Sequence, residues 1–199
     1  MIRRPKSVGG RGKRISGPVF ALLASAWLAG GLGVPTRAQS LTEYEVKAVF
    51  LYNFAKFVEW PSVPAEAGQP FTICVVGEDP FGDTLDQAIL GKSINGRALM
   101  ARRVRRAGDA RTCQIAFISA SEGKRLRAIL DGLNGASVLT VGETEGFAEQ
   151  GGVINFRLEE DRVRFEINVD AAQRAGLKMS AKLLGLARIV RSERPGRKG

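Results

Sequence analysis

The segment Phe71-Thr72-Ile73-Cys74-Val75-Val76-Gly77 is a short apolar run that follows Pro70 and ends at a glycine. It is rich in β-branched residues, a pattern that is typical of a strand buried on both faces in a parallel sheet. A second run of this kind, Cys113–Ser119, lies downstream, and a helical segment separates the two. We therefore expect two buried central strands, each of which carries one of the two cysteines of the chain.

The size and composition of the chain fit one globular domain. Its 199 residues are 44% hydrophobic and 25% charged, which is enough apolar material for a single core. The net charge of +10 belongs to the two ends: residues 1–38 hold seven basic residues and no acid, and residues 188–199 hold five basic residues and Glu193. Residues 39–187 are therefore close to neutral, and the basic composition does not indicate a nucleic-acid partner.

The N-terminal residues have the layout of an export signal. A basic region precedes the apolar run Val19–Leu32, and Thr36-Arg37-Ala38 supplies small residues where a signal peptidase cleaves. The apolar run has 14 residues, fewer than the ~20 that a permanent membrane helix needs, although an uncleaved anchor is the alternative. We predict a signal peptide over residues 1–38, a mature chain from Gln39 in an oxidising compartment, and no integral membrane span after cleavage.

The first helix of the mature chain is predicted to begin at Ser40, because Glu43 follows it with capping-box spacing. One apolar stripe then runs down the helix, formed by Leu41, Tyr44, Ala48, Leu51, Ala55 and Val58. A second ridge is formed by Phe50, Phe54 and Phe57. Because one stripe is enough to pack a helix on a sheet, we expect these three rings to contact a second copy or a partner, unless residues 183–189 cover them.

The rest of the chain alternates between strand and helix patterns. Helices are predicted from Asp79-Pro80 to Leu90, from Ser121 to Leu133, over Asp170–Ala175 and over Ser180–Val190. Strands are predicted at Ala98–Val104 and Val138–Val141, and two alternating runs around the turn Glu159–Arg162 predict a β-hairpin. Residues 191–199 are expected to form a disordered basic tail.

This alternation predicts an α/β domain over residues 39–190, with a mainly parallel sheet flanked by helices, a C-terminal hairpin and closing helices. The most economical strand order places residues 98–104 on one side of residues 71–76 and residues 113–118 on the other. Cys74 and Cys113 then lie on neighbouring strands. They are either small buried hydrophobic residues or a disulfide, and export to an oxidising compartment favours the disulfide.

Several kinds of chemistry are excluded by composition. The chain has no histidine, so a catalytic histidine and a histidine-ligated metal are both impossible. Its two cysteines do not form a C-x-x-C motif. Gly91-Lys92-Ser93 resembles a phosphate-binding loop, but Asp86 stands where that loop needs a glycine. We expect no cofactor and no bound metal.

The loops that follow the predicted strands meet at the carboxyl edge of the sheet, where open α/β sheets bind ligands. The candidates there are Gly77, Glu78, Ser119, Gly142 and Glu143. Either these loops form a ligand site, or their glycines serve only to make turns. An acid pair such as Glu143 and Glu145 could catalyse a reaction, but solvated loop carboxylates are far commoner, and we expect no enzyme.

A basic cluster lies on and after the predicted strand at residues 98–104. It consists of Arg97, Arg102, Arg103, Arg105 and Arg106. Such a cluster either binds an acidic partner or is a solvated edge strand whose charge prevents edge-to-edge pairing. The second interpretation is favoured here.

Several segments together resemble the YfiR-like periplasmic family. They are Glu43–Phe54 with Trp60-Pro61, Val75–Gly77, Gly91-Lys92 with Ile94–Arg97, Thr140–Gly142, Ile154–Phe156, Phe165–Asn168, and Ala175–Leu177 with Leu186-Ala187. The resemblance covers about residues 41–190 and implies a Rossmann-like α/β domain, often dimeric, without known catalysis. Cys74 and Cys113 match the cysteine pair of the family's core strands.

The resemblance also implies a function. The best-understood members bind the periplasmic portion of an inner-membrane diguanylate cyclase and so restrain cyclic-di-GMP signalling and biofilm formation. We therefore expect an exported regulator whose partner is a membrane signalling protein. The alternative is a periplasmic protein that binds a small ligand with the loops at the carboxyl edge.

Overall fold

The computed structural model describes residues 42–61 and 68–191. Within these ranges the α-helices are α1 (Glu43–Phe57), α2 (Asp83–Ile89), α3 (Leu126–Leu133), α4 (Val169–Arg174) and α5 (Ala181–Leu184). The strands are β1 (Val58–Glu59), β2 (Phe71–Val76), β3 (Ser93–Ile94), β4 (Arg97–Val104), β5 (Ile115–Ile118), β6 (Leu139–Gly142), β7 (Ile154–Glu159), β8 (Arg162–Asn168), β9 (Lys178–Met179) and β10 (Arg188–Val190). The predicted signal peptide and most of the predicted tail lie outside the described residues.

Eight of these strands form one sheet in the order β10-β8-β7-β6-β5-β2-β4-β3. Strand β2 pairs in parallel with β4 on one side and with β5 on the other, which is the predicted order. Strands β7 and β8 form the predicted antiparallel hairpin, and β3 pairs antiparallel with the start of β4. The expectation of an α/β fold with a mainly parallel sheet flanked by helices is confirmed.

The two faces of β2 bury their side chains in different cores. Because successive side chains of a strand point to opposite faces, Ile73 and Val75 lie on one side of the sheet and Cys74 and Val76 on the other. The first set packs with Leu51 and other residues of α1. The second set packs with α3. The burial of β2 on both faces, which the unbroken apolar run predicted, is thus confirmed.

Helix α1 begins two residues later than predicted. Its N-cap is Thr42, whose side chain accepts from the Glu45 amide while Glu45 binds back to the Thr42 amide. The proposed cap at Ser40 is therefore wrong; Thr42 with Glu45 has the same capping-box spacing, so the motif occurs twice in succession. The apolar stripe itself is confirmed for Ala48, Leu51, Ala55 and Val58, all of them buried.

The expectation that the phenylalanine ridge is surplus to packing is wrong for Phe54, whose side chain is 0% exposed. Its ring lies 5.7 Å from that of Phe156 and 5.2 Å from that of Phe165, so the hairpin covers it. Phe50 joins the same cluster, with its ring 5.4 Å from that of Phe165. Phe50 and Phe57 remain partly exposed, and their contact with a partner or a second copy stays a prediction.

Three helix predictions need correction. The segment from Ser180 to Val190 is not one helix: α5 stops at Leu184, and residues 188–190 form β10, which extends the sheet beside β8. The helix predicted from Asp79-Pro80 begins at Asp83. Ser119 rather than Ser121 supplies the cap before α3, and a 3-10 segment, Ala120–Arg125, precedes that helix.

Cys74 and Cys113 form a disulfide, with Cα atoms 6.0 Å apart. Cys74 lies in β2, and Cys113 ends the 3-10 segment Ala107–Thr112 just before β5. Both cysteines are buried in the core that faces α3. The bond therefore ties the central strand to the turn that leads into its neighbour.

We predict that the double variant C74A/C113A folds but is less stable by up to about 4 kcal/mol, because the bond closes a loop of 39 residues. Chemical denaturation followed by circular dichroism measures the change. In a companion assay, wild-type protein that is denatured without reductant should not react with a thiol reagent. Full labelling of both cysteines would show that the bond is absent in solution.

We predict that F54A destabilises the protein by about 3–5 kcal/mol, because it empties a fully buried aromatic site. The matched variant F50A removes a ring of the same size from a partly exposed position and should cost clearly less. Thermal melting of both variants provides the measurement. Equal losses would contradict the core position of Phe54.

Candidate functional site

The centre of the candidate site is a buried ion pair between α1 and the end of β6. Lys47 is only 4% exposed, although it lies on a surface helix. Its Nζ lies 2.5 Å from Oε2 of Glu143, the residue that follows β6, and it also pairs with Glu43 one helical turn earlier. The Tyr44 hydroxyl donates to Oε1 of Glu143 at 3.3 Å. Helix α1 is thereby tied to the carboxyl edge of the sheet.

Aromatic rings complete the surroundings of Lys47. Its Nζ lies 4.7 Å from the centre of the Tyr44 ring and 5.9 Å from that of Phe156. Burial by itself lowers the pKa of Lys47, but the hydrogen bonds and charges of Glu143 and Glu43 outweigh that effect and leave the pKa above its usual value. Burial and the charge of Glu143 raise the pKa of Tyr44. At neutral pH the site therefore holds a charged amine and a neutral phenol.

An open cleft of about 420 Å³ lies beside this pair. Tyr44, Lys47 and Glu143 form one wall, and the start of the hairpin forms the other. The hairpin contributes Arg157, which pairs with the buried Glu166 at 3.1 Å, and Leu158, which is 55% exposed. The cleft thus offers carboxylates, a guanidinium and an accessible apolar side chain to a bound molecule.

The glycines of the loop after β6 make room for a phenylalanine. Phe147 is 0% exposed, and its ring occupies the space where a Cβ at Gly142 or Gly152 would lie. The amide of Gly152 donates to the carbonyl of Phe147 at 2.9 Å. The loop is therefore folded onto the core with its own ring beneath it, and Gly142 is needed for that close approach.

Gly77 has a similar structural role. A Cβ there would lie 2.6 Å from Oγ of Ser121 and 2.7 Å from Cγ of Glu122, and its φ of +91° favours glycine. The next amide, that of Glu78, donates to Ser121 Oγ at 3.0 Å, and Ser119 caps the same turn. These three candidates meet at the turn after β5, whereas the cleft is lined by Glu143 and by neither Gly77 nor Ser119.

Of the five candidate loop residues, Glu143 is thus the one in the cleft wall. Sequence reasoning missed Tyr44 and Lys47 as its partners. One signal was present: Lys47 follows Glu43 at the spacing of a helical ion pair, inside a segment that is otherwise mostly apolar. Phe147 gave no periodic signal because it lies in an irregular loop.

Two further properties bear on function. Nowhere in residues 42–61 and 68–191 do three or more acidic or cysteine side chains gather as a metal site would require. None of the helices in these ranges is long and apolar enough to cross a bilayer.

The chain thus has an α/β fold with an open cleft beside the end of β6. The chain matches the model of the YfiR/HmsC-like family over residues 44–188, which is well over half of its length. It therefore belongs to the YfiR/HmsC-like family, as the sequence resemblance predicted. Members of this family are periplasmic regulators rather than enzymes, and the family is tied to diguanylate cyclase signalling.

Solved structures share the fold at low identity. A conserved domain protein from Vibrio cholerae O1 biovar El Tor strain N16961 superposes with a TM-score of 0.52 at 13% identity, over 75% of this chain. The match spans 60% of that protein's length. Weaker likeness is found to an ABC domain in complex with L-Trp from Streptococcus pneumoniae (TM-score 0.44, 10% identity, 60% of this chain and 55% of that one). CD0873, a substrate-binding protein from Clostridium difficile, gives 0.40 at 7% identity, over 64% and 56% of the two chains.

We predict that K47M destabilises the protein by about 3–5 kcal/mol, because it leaves the Glu143 carboxylate, whose side chain is only 10% exposed, without its cation. A matched control is R127M, which breaks an exposed helical pair in which the Arg127 side chain is 74% exposed, and which should cost less than about 1 kcal/mol. The double variant K47M/E143L should recover part of the loss. Urea denaturation at pH 7 measures all three, and similar losses in K47M and R127M would contradict the buried pair.

The same pair should respond to alkaline pH. Because the folded-state pKa of Lys47 is raised, its stabilising contribution is complete below the usual value of 10.5 and is lost as pH rises through the folded-state pKa. Wild-type protein should therefore lose stability more steeply than K47M in this alkaline range, as denaturation midpoints from pH 8 upward would measure.

Proposed function

We propose that this protein is an exported, non-enzymatic regulator that binds the periplasmic portion of an inner-membrane diguanylate cyclase and restrains cyclic-di-GMP synthesis. The observation that carries the proposal is the family match over residues 44–188. Export by a cleaved signal peptide over residues 1–38 is part of it, and the disulfide between Cys74 and Cys113 is in keeping with an oxidising compartment.

The cleft beside Lys47 is the contact surface that we assign to the partner. Leu158 supports this assignment, because it is a large apolar side chain that is 55% exposed at the rim of a part-polar cleft. Interfaces draw much of their energy from such apolar anchors ringed by polar groups. The partly exposed Phe50 and Phe57 are a second candidate contact, with the partner or with a second copy in a homodimer.

A small-ligand-binding function is the second candidate. The observation that favours it is the volume of the cleft, about 420 Å³, which lies within the ~300–1,000 Å³ usual for small-molecule sites. Here the walls formed by Glu143 and Arg157 would orient a small polar molecule. A ligand released when the purified protein is unfolded, and identified by mass spectrometry, would support this second function.

The test of the regulator is made in the native host. We expect deletion of the gene to raise cellular cyclic-di-GMP and the wild-type gene to restore it. The variant L158E should fail to restore it, because it places a charge at the apolar rim. The control L186E changes a residue that is 67% exposed and does not line the cleft, and it should restore the wild-type level.

Affinity capture from solubilised membranes gives the second readout. Tagged wild-type protein and L186E should retain a membrane protein with a cyclase domain, and L158E should not. An unchanged cyclic-di-GMP level after deletion would contradict the regulatory function itself. Restoration by L158E as complete as that by L186E would instead place the contact outside the cleft.

A further inference from the structure

The arginines on and after β4 differ in their partners. The Arg97 side chain donates to the backbone carbonyls of Gln69 and Pro70, just before β2. Arg103 lies between two carboxylates, 2.8 Å from Asp79 and 2.6 Å from Asp86. Burial lowers the pKa of Arg103, but its bonds to the two aspartates outweigh this and raise it. These two arginines therefore serve the fold.

Arg102 is held in place without a carboxylate partner in the part of the chain that the structure describes. Its Nη2 donates to the carbonyl of Asp109 at 2.6 Å, to Oγ1 of Thr112 at 3.0 Å and to Sγ of Cys113 at 3.3 Å. These partners are all neutral, so they fix the guanidinium without cancelling its charge. Arg102 is thus a pre-positioned cation at the surface.

Positive charge accumulates in the same place. Residues 102–112 contain five arginines and a single acid, Asp109. Arg105 and Arg106 are exposed, and neither side chain has an ion pair or hydrogen bond within residues 42–61 and 68–191. With Arg102 and Thr112 they line an open depression of about 690 Å³, whose wall also includes Asp109. The depression has room for several phosphate groups.

The edge of the sheet next to this depression carries exposed apolar side chains. Strand β3 pairs with Arg97 and Ala98, and no other strand in residues 42–61 and 68–191 lies on that side of β4. Met100 is 47% exposed, and Leu90, at the end of α2, is 82% exposed. The carbonyl of Lys92 accepts from the Leu99 amide at 3.0 Å, which holds the segment after Leu90 against β4. Cations and accessible apolar side chains thus share one edge.

We propose that this edge binds the phosphate groups of anionic phospholipids and so rests on a membrane surface. Guanidinium groups match phosphate oxygens in geometry and charge, and arginines without carboxylate partners are free to bind them. Leu90 and Met100 favour a bilayer over an acidic protein, because apolar side chains beside cations enter the boundary between headgroups and acyl chains. The proposal does not depend on which membrane protein is bound.

The experiment is co-sedimentation with lipid vesicles, using protein recovered from the exported fraction of cells that express the full chain. Vesicles of phosphatidylcholine with 30% phosphatidylglycerol should bind the wild type, and pure phosphatidylcholine vesicles should not. Each arginine near an anionic surface is worth roughly a fivefold change in affinity, so R105Q/R106Q should bind about 25-fold more weakly. R105K/R106K, which keeps the charge, should lose far less.

A matched control is R162Q/R164Q, which removes two exposed arginines from the hairpin strand β8 and should leave vesicle binding within about twofold of wild type. L90S should bind vesicles more weakly than wild type but with the same dependence on salt, because the leucine side chain carries no charge. Inorganic phosphate at millimolar concentration should not displace the protein from vesicles, since it offers one anion where the surface offers many.

Three results would overturn the proposal. The first is an absence of binding to phosphatidylglycerol vesicles. The second is an equal loss in R105Q/R106Q and R162Q/R164Q, which would show that binding follows total charge rather than this edge. The third is unchanged vesicle binding by R105Q/R106Q together with loss of a captured acidic protein, which would assign the edge to a protein partner.

Discussion

The structure depends on the burial of both faces of β2. Its side chains enter two cores in alternation, one covered by α1 and the other by α3. The side chains of β5 alternate between the same two cores. Each fully buried apolar side chain stabilises the folded state by about 1.5–3 kcal/mol. Because β2 is buried on both faces, its side chains help to hold the helices on both sides of the sheet. The disulfide secures the second core at the position where β2 meets the turn before β5.

The contact between α1 and the sheet includes a buried charge, that of Lys47, and removing this charge from water costs free energy. A charged group removed from water is stabilised only if its partners satisfy it fully, and Glu143, Glu43 and the ring of Tyr44 do so. The ion pair and the Tyr44 hydroxyl tie α1 to Glu143, and Tyr44, Lys47 and Glu143 form one wall of the cleft.

The cleft and the arginine-lined depression both lie toward the carboxyl ends of parallel strands. The cleft lies beside the end of β6 and the depression lies beyond the end of β4, with β5 and β2 between them in the strand order. At ~4.8 Å per strand, this separates β6 from β4 by roughly 14 Å. A protein that touched the bilayer with one surface would hold the other close to the membrane, where the periplasmic portion of a membrane protein lies.

The sequence by itself determined the central strands, their order and the closeness of Cys74 and Cys113, because unbroken apolar runs and alternating helices are local patterns. It also placed the apolar stripe of α1. The N-cap was misplaced because Ser40 and Thr42 both have a glutamate three residues later, and local spacing cannot choose between them.

Only the tertiary structure decided the burial of Phe54 and Lys47 and the strand at residues 188–190. Phe54 is buried because the hairpin folds over α1, and periodicity within one helix carries no information about a second cover. Residues 188–190 are extended because β8 offers them an unpaired edge, which outweighs the helical spacing of their apolar residues. Lys47 is charged and belongs by composition to the surface; the carboxylate that lets it be buried lies 96 residues away in the chain.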